Sequence, residues 1–171
     1  MKYNHIIAID PDCLKSGVAR LSLPPITKLK GIYNMEFPQL IEFLRDMHND
    51  FERPLVVVEA GWLNESNWHL KPTDSKALVA KKGNAVGRNH ETGRKIVEMC
   101  KYYGIHVEEV KPLVKCWRGP DHKITHEEIA YFIPDFPTRS NQETRDAALL
   151  AWNHAGLPMR VAPIKSKTNV K

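Results

Sequence analysis

The chain has 171 residues, enough for one well-buried core and too few for two ordinary domains. Its composition is globular, 42% hydrophobic and 26% charged, with no internal repeat or low-complexity tract, which excludes fibrous and disordered classes. The net charge of +5 favours a polyanionic partner, although the final "RVAPIKSKTNVK" supplies four of the positive charges. Cys13, Cys100 and Cys116 are odd in number and form no CxxC pair. They argue against a disulfide framework or a zinc site and for a reducing compartment. With no apolar run of membrane-spanning length and no signal-peptide pattern, the expectation is a soluble, cytoplasmic protein. Residues 1–158 should form a single domain and 159–171 a basic, flexible tail.

In chain order, "NHIIAID" is continuously apolar and reads as a strand buried on both faces. "GVARLSL" alternates and should be a second strand, ended by Pro24 and Pro25, with a third over residues 26–33. Short links between them suit an antiparallel meander. From Glu36 the period becomes helical, with Phe37, Leu40, Ile41, Leu44, Met47 and Phe51 on one face and an end near Asp50. "PLVVVEA" is another buried strand, followed by the loop "GWLNESNWHLKPTDS". A helical stretch over 75–103 is interrupted by Gly83, Gly87 and Gly93, and "IHVEEV" is a strand stopped by Lys111 and Pro112. Thr125 to Glu128 is a capping box opening "HEEIAYFI". Ser140 to Glu143 reads as a second, opening "ETRDAALLAWNHAG", which Gly156 and Pro158 terminate. The βββαβαβα order implies an α/β fold, a mixed five-stranded sheet flanked by helices.

Two acids end the two most apolar strands, Asp10 and Glu59. A charge at the end of a buried strand is costly unless compensated. Such strands belong at the sheet centre as neighbours, which sets both carboxylates where open α/β sheets hold their sites. Glu143 and Asp146 lie three apart on one helix, hence on one face. Oxygen ligands without Cys or His point to Mg²⁺ or Mn²⁺. Plainer roles stand beside this one. Asp12 can simply shape the turn, Asp146 can pair with Arg145 or Arg94, and Glu143 can serve as the capping partner of Ser140.

"IIAIDPDCLKSGVARL", "VVVEAGW" and "ETRDAALLAW", in this order, resemble the RuvC family of Holliday junction resolvases in the ribonuclease H-like superfamily. In that family's first motif an apolar strand precedes Asp-Pro-Gly and then Thr-Gly or Ser-Gly. Asp10-Pro11 and Ser16-Gly17 match, and Asp12 stands where the family has glycine. Glu59 matches the second motif, and Glu143 with Asp146-Ala147 the third, with Glu in place of the usual Asp. The likeness spans about residues 5 to 156. It implies a homodimeric endonuclease that cuts branched DNA, most of all Holliday junctions, by two-metal-ion hydrolysis leaving 5′-phosphate ends. Asp10, Glu59, Glu143 and Asp146 would then be catalytic and hold two Mg²⁺ or Mn²⁺ ions.

Trp62 stands where the family has an aromatic that stacks on a base near the crossover; packing into the core is its other reading. Trp68, in the same polar loop, would add a second stacking surface. "KKGNAVGRNHETGRK" offers Lys81, Lys82, Arg88, Arg94 and Lys95 to phosphates. Lys115 and Lys123 are the nearest counterparts of the basic residues that the family carries beyond its last strand. His90 and His122 are further polar candidates. Two rivals share the fold: a YqgF-like RNA-processing nuclease, whose "DER" signature is absent, and a DNA-binding module that has lost catalysis. Actin-like ATPases need a duplicated domain and glycine-rich phosphate loops, which the sequence lacks.

Overall fold

The structure, a computed structural model, describes residues 3–49, 54–64 and 73–160. The meander forms as β1 (His5–Asp10), β2 (Ser16–Ser22) and β3 (Lys28–Met35), followed by α1 (Phe37–Asn49) and β4 (Pro54–Glu59). Then come α2 (Lys76–Tyr102), β5 (Val107–Val110), α3 (His126–Phe132) and α4 (Gln142–His154). The strands lie in the order β3-β2-β1-β4-β5, with β1 antiparallel to β2 and parallel to β4. This is the mixed five-stranded α/β sheet expected from the sequence.

Strand alternation divides the core in two. Ile6 and Ala8 of β1, with Leu55 and Val57 of β4, face α3 and α4. Ile7, Ile9, Val56 and Val58 face α1 and α2, against Leu40, Leu44, Ile96 and Val97. Because β1 and β4 are covered on both sides, their sequences run apolar without alternation. The next residues in the first series are Asp10 and Glu59. Both therefore end their strands on the α4 face, beside one another, since Ile9 pairs with Val58.

Three local expectations are corrected. The glycine-bearing stretch is not interrupted: α2 runs unbroken through Gly83, Gly87 and Gly93, started by Ser75, whose hydroxyl accepts from the Leu78 N–H at 3.3 Å. Strand β3 starts at Lys28, two residues late, because Ser22 Oγ donates to the Ile26 carbonyl (2.7 Å) and accepts from the Lys28 N–H (3.1 Å), holding a turn there. Strand β5 starts at Val107, since the Ile105 N–H is used to close α2 on the Cys100 carbonyl at 2.8 Å.

The capping box at Thr125 and Glu128 forms as expected. The second box is shifted by one residue. Asn141 caps α4, its Oδ1 accepting from the Thr144 N–H (2.9 Å), while Thr144 Oγ1 accepts from the Asn141 N–H (3.1 Å). Ser140 instead meets His126 Nδ1 at 2.8 Å and Arg145 Nη1 at 3.3 Å. Glu143 is therefore no cap. Among the described residues, no helix is long and apolar enough to cross a membrane. Trp68 and residues 161–171 of the basic tail lie outside the described residues.

Candidate active site

Glycine brings the third element to the two strand ends. Gly17 sits opposite Asp10 in the β1–β2 register, and a side chain there would overlap the Glu143 backbone carbonyl. The bare backbone lets the first turn of α4 rest on β2, with Glu143 and Asp146 on the Asp10 side. Asp10, Glu59, Glu143 and Asp146 thus act on one another electrically. Burial raises the Asp10 carboxyl well above its ordinary range, and the charges of Glu59, Asp146 and Glu143 raise it further, against a lowering by Lys123. Glu59 is pushed up to about 7, first by burial and then by Asp146, with Lys115 and Lys123 working against the rise. Both shifts have one meaning: negative charge is packed here with too little compensation.

Lys123 sets its ammonium 3.5 Å from Asp146 Oδ2, while Gln142 donates to Asp146 Oδ1 at 2.7 Å. Asp146 pairs with neither Arg145 nor Arg94, the partners its sequence neighbourhood offered. Arg145 is spent on the Ile124 and Ser140 carbonyls at 3.1 and 3.2 Å. The loop that carries Lys123 is held by buried Glu128, which accepts from the Arg118 and Thr125 N–H groups at 3.2 and 3.0 Å. Among the described residues, no three Asp, Glu, His or Cys side chains stand close enough to form a ready metal cage. The donor set itself still fits a hard divalent ion: four carboxylates from three elements, two of them destabilised as anions.

A groove of about 800 Å³ opens beside these acids, lined by Asp10, Glu59, Trp62, Asn89, His90 and Lys115 among others. Trp62 forms its wall from a 3-10 turn at Gly61–Leu63 that directly follows β4. Its ring lies against Gly93 of α2, where any side chain would collide, and packs partly on the α1–α2 core. Its indole N–H donates to Glu109 Oε2 at 3.1 Å, and the Arg94 guanidinium sits over the ring at 5.5 Å. The stacking and packing readings of Trp62 meet in one residue, half-buried and lining the groove. His90, edge-on to Trp62 at 6.0 Å, is held below its ordinary pKa by partial burial and by Arg94.

The basic candidates are spread more widely. Lys81 and Arg88 are exposed on α2, and Lys82 pairs with Asp74 at 2.6 Å. Lys115 is exposed at the groove, and Lys123 is half-buried among the acids. Asp12 does shape the β1–β2 turn, accepting from the Leu14 N–H at 2.8 Å. Sequence reasoning missed its partner, Asn89, which binds it from α2 at 3.2 Å. Nothing in the local sequence signals a hydrogen bond to a residue 77 positions upstream.

No protein-family model matches the chain, and no curated protein sequence does. Solved structures do. The RuvC protein of Thermus thermophilus in complex with a Holliday junction substrate superposes with a TM-score of 0.54 at 14% identity, over 90% of this chain and 93% of that one. A second Thermus thermophilus RuvC structure gives a TM-score of 0.50 at 17% identity, over 88% and 93%. At such identities the likeness speaks for the backbone alone, and on that level it covers nearly everything. The chain has the RuvC fold, a variant of the ribonuclease H-like architecture.

Proposed function

We propose that this chain is a divalent-metal-dependent endodeoxyribonuclease that cuts branched DNA, Holliday junctions foremost, leaving 5′-phosphate ends. The observation that carries the reading is that three other carboxylates act on Asp10 electrically, one ending the adjacent buried strand and two on the helix that covers both strands. Such a concentration of buried charge costs stability, and a binding site for cations gives it a purpose. The neighbour bound to a Holliday junction supports the substrate class, and the homodimer is proposed on the resemblance of the sequence motifs alone.

Asp10, Glu59, Glu143 and Asp146 would hold two Mg²⁺ or Mn²⁺ ions, which when bound activate water and stabilise the leaving oxygen. Lys115 at the groove and Lys123 among the acids add positive charge beside the site, suited to a phosphodiester. Trp62 offers a ring face to an unstacked base, backed by α2 and steadied by its bond to Glu109. Lys81, Lys82, Arg88 and Arg94 lie along α2, suited to phosphates of a duplex arm.

The test is cleavage of a four-way junction, a fork, a linear duplex and a structured RNA by the purified protein in Mg²⁺. Junction cleavage that Asp10→Asn abolishes, with junction binding retained, is the expected result. Selective RNA cleavage would favour the YqgF-like alternative. Junction binding without cleavage in any divalent ion would leave a catalytically inactive DNA-binding module.

A further inference from the structure

We infer that Asn89 is a positioning residue that fixes the Asp10 loop to α2, through the aspartate at position 12. This rests on the nuclease reading of the site and extends it to a residue outside the acid set. The Asn89 side-chain amide bridges the loop at two points. Its Oδ1 accepts from the Cys13 N–H at 3.1 Å, and its Nδ2 donates to Asp12 Oδ2 at 3.2 Å. The other carboxylate oxygen of Asp12 accepts from the Leu14 N–H at 2.8 Å, and the Asp12 N–H donates to Ser16 Oγ at 3.2 Å. The turn that follows Asp10 is therefore stitched internally and tied to a helix from another part of the chain. A glycine at position 12 would have no side chain to receive Asn89.

Helical spacing gives the tie a second meaning. Asn89 and Gly93 are four apart on α2, hence on one face. Gly93 is the seat of Trp62, and a side chain added there would also stand 3.1 Å from Pro11 Cγ. One face of α2 thus supports the loop next to Asp10 and the tryptophan wall of the groove.

The hydrogen-bond pattern offers a reciprocal test. Asn89→Asp sets two carboxylates against each other, and Asp12→Asn sets two amides together. The double swap D12N/N89D restores every bond with the same net charge. Each single variant is expected to raise the half-saturating Mg²⁺ concentration about 10-fold, the usual scale for a group behind a metal ligand, and the swap to recover most of it. Binding of Mg²⁺ by the protein, measured by calorimetry, gives the same comparison without turnover. A purely electrostatic role predicts a different pattern, with Asn89→Asp tightening Mg²⁺ binding, Asp12→Asn weakening it and the swap averaging the two; tighter binding in Asn89→Asp overturns the inference. If the wild-type protein neither binds Mg²⁺ nor cuts DNA, the nuclease reading fails alone. The tie is then read from hydrogen exchange at the Cys13 and Leu14 amides: faster in both single variants and restored in the swap supports it, and unchanged rates reject it.

Discussion

Glu143 is the residue whose role the structure changes most. The sequence offers it as the capping partner of Ser140, but the cap is the reciprocal pair of Asn141 and Thr144. Ser140 and Asn141 are both good N-cap residues one position apart, and local propensity does not choose between them. The choice falls to contacts from elsewhere, as Ser140 is occupied by His126 and Arg145. A half-buried glutamate with no capping duty, close enough to raise Asp10, is a ligand candidate. Glu143→Gln should therefore raise the Mg²⁺ concentration for half-maximal cleavage by about 10-fold or more while leaving the melting temperature near wild type. Asn141→Ala is the matching control, expected to cost about 1 kcal/mol of stability with the Mg²⁺ midpoint unmoved. An unchanged midpoint in Glu143→Gln would reduce the site to three carboxylates.

At the scale of elements, the site is made by how three of them end or begin. Strands β1 and β4 deliver their acids by parity, and α4 is admitted by the missing side chain of Gly17. In Gly17→Ala the new methyl meets backbone atoms of Glu143 and Thr144, which cannot rotate away. The expected cost is about 1–3 kcal/mol of stability, the range for overpacking a close contact. Cleavage per folded molecule should fall as well, since α4 must lift away from Asp10. Equilibrium unfolding and a cleavage assay corrected for folded fraction measure the two effects; a loss of stability with full activity would detach α4 from catalysis. Much of this assembly was legible in the sequence. A charge ending a continuous apolar run is so costly that Asp10 and Glu59 announce themselves, and capping and apolar periodicity find the helices. What stayed hidden depends on distant contact. The glycines of α2 read as breaks because each costs about 1 kcal/mol in a helix, yet the helix runs through all three, and at Gly93 the close approach of Trp62 gives the reason. The bond from Asn89 to Asp12 has no local signature at all.

For the whole molecule, the acids set stability against function. A carboxyl raised by the fold binds its proton more tightly in the native state than in the unfolded chain. Its favourable contribution is complete below the ordinary carboxylate pKa and is lost as pH rises through the native value. For Glu59 that window runs from 4.5 to about 7, worth roughly 3 kcal/mol at about 1.4 kcal/mol per unit, and Asp10 shifts in the same direction. His90 acts oppositely, because its lowered pKa favours the fold at higher pH. The clean measurement is therefore a difference between wild type and a variant lacking only the two acids. Without divalent ions, the melting temperature of wild type relative to Asp10→Asn/Glu59→Gln should fall as pH rises from 4.5 to 7. Millimolar Mg²⁺ at pH 8 should recover much of that loss in wild type, since a ligand that binds only the native state stabilises it by mass action, and none of it in the double variant. A wild-type protein as stable at pH 8 as at pH 5 relative to the variant, and indifferent to Mg²⁺, would mean that Lys115 and Lys123 already neutralise the acids. The cluster would then be a salt-bridge network, with no charge left over to hold a metal.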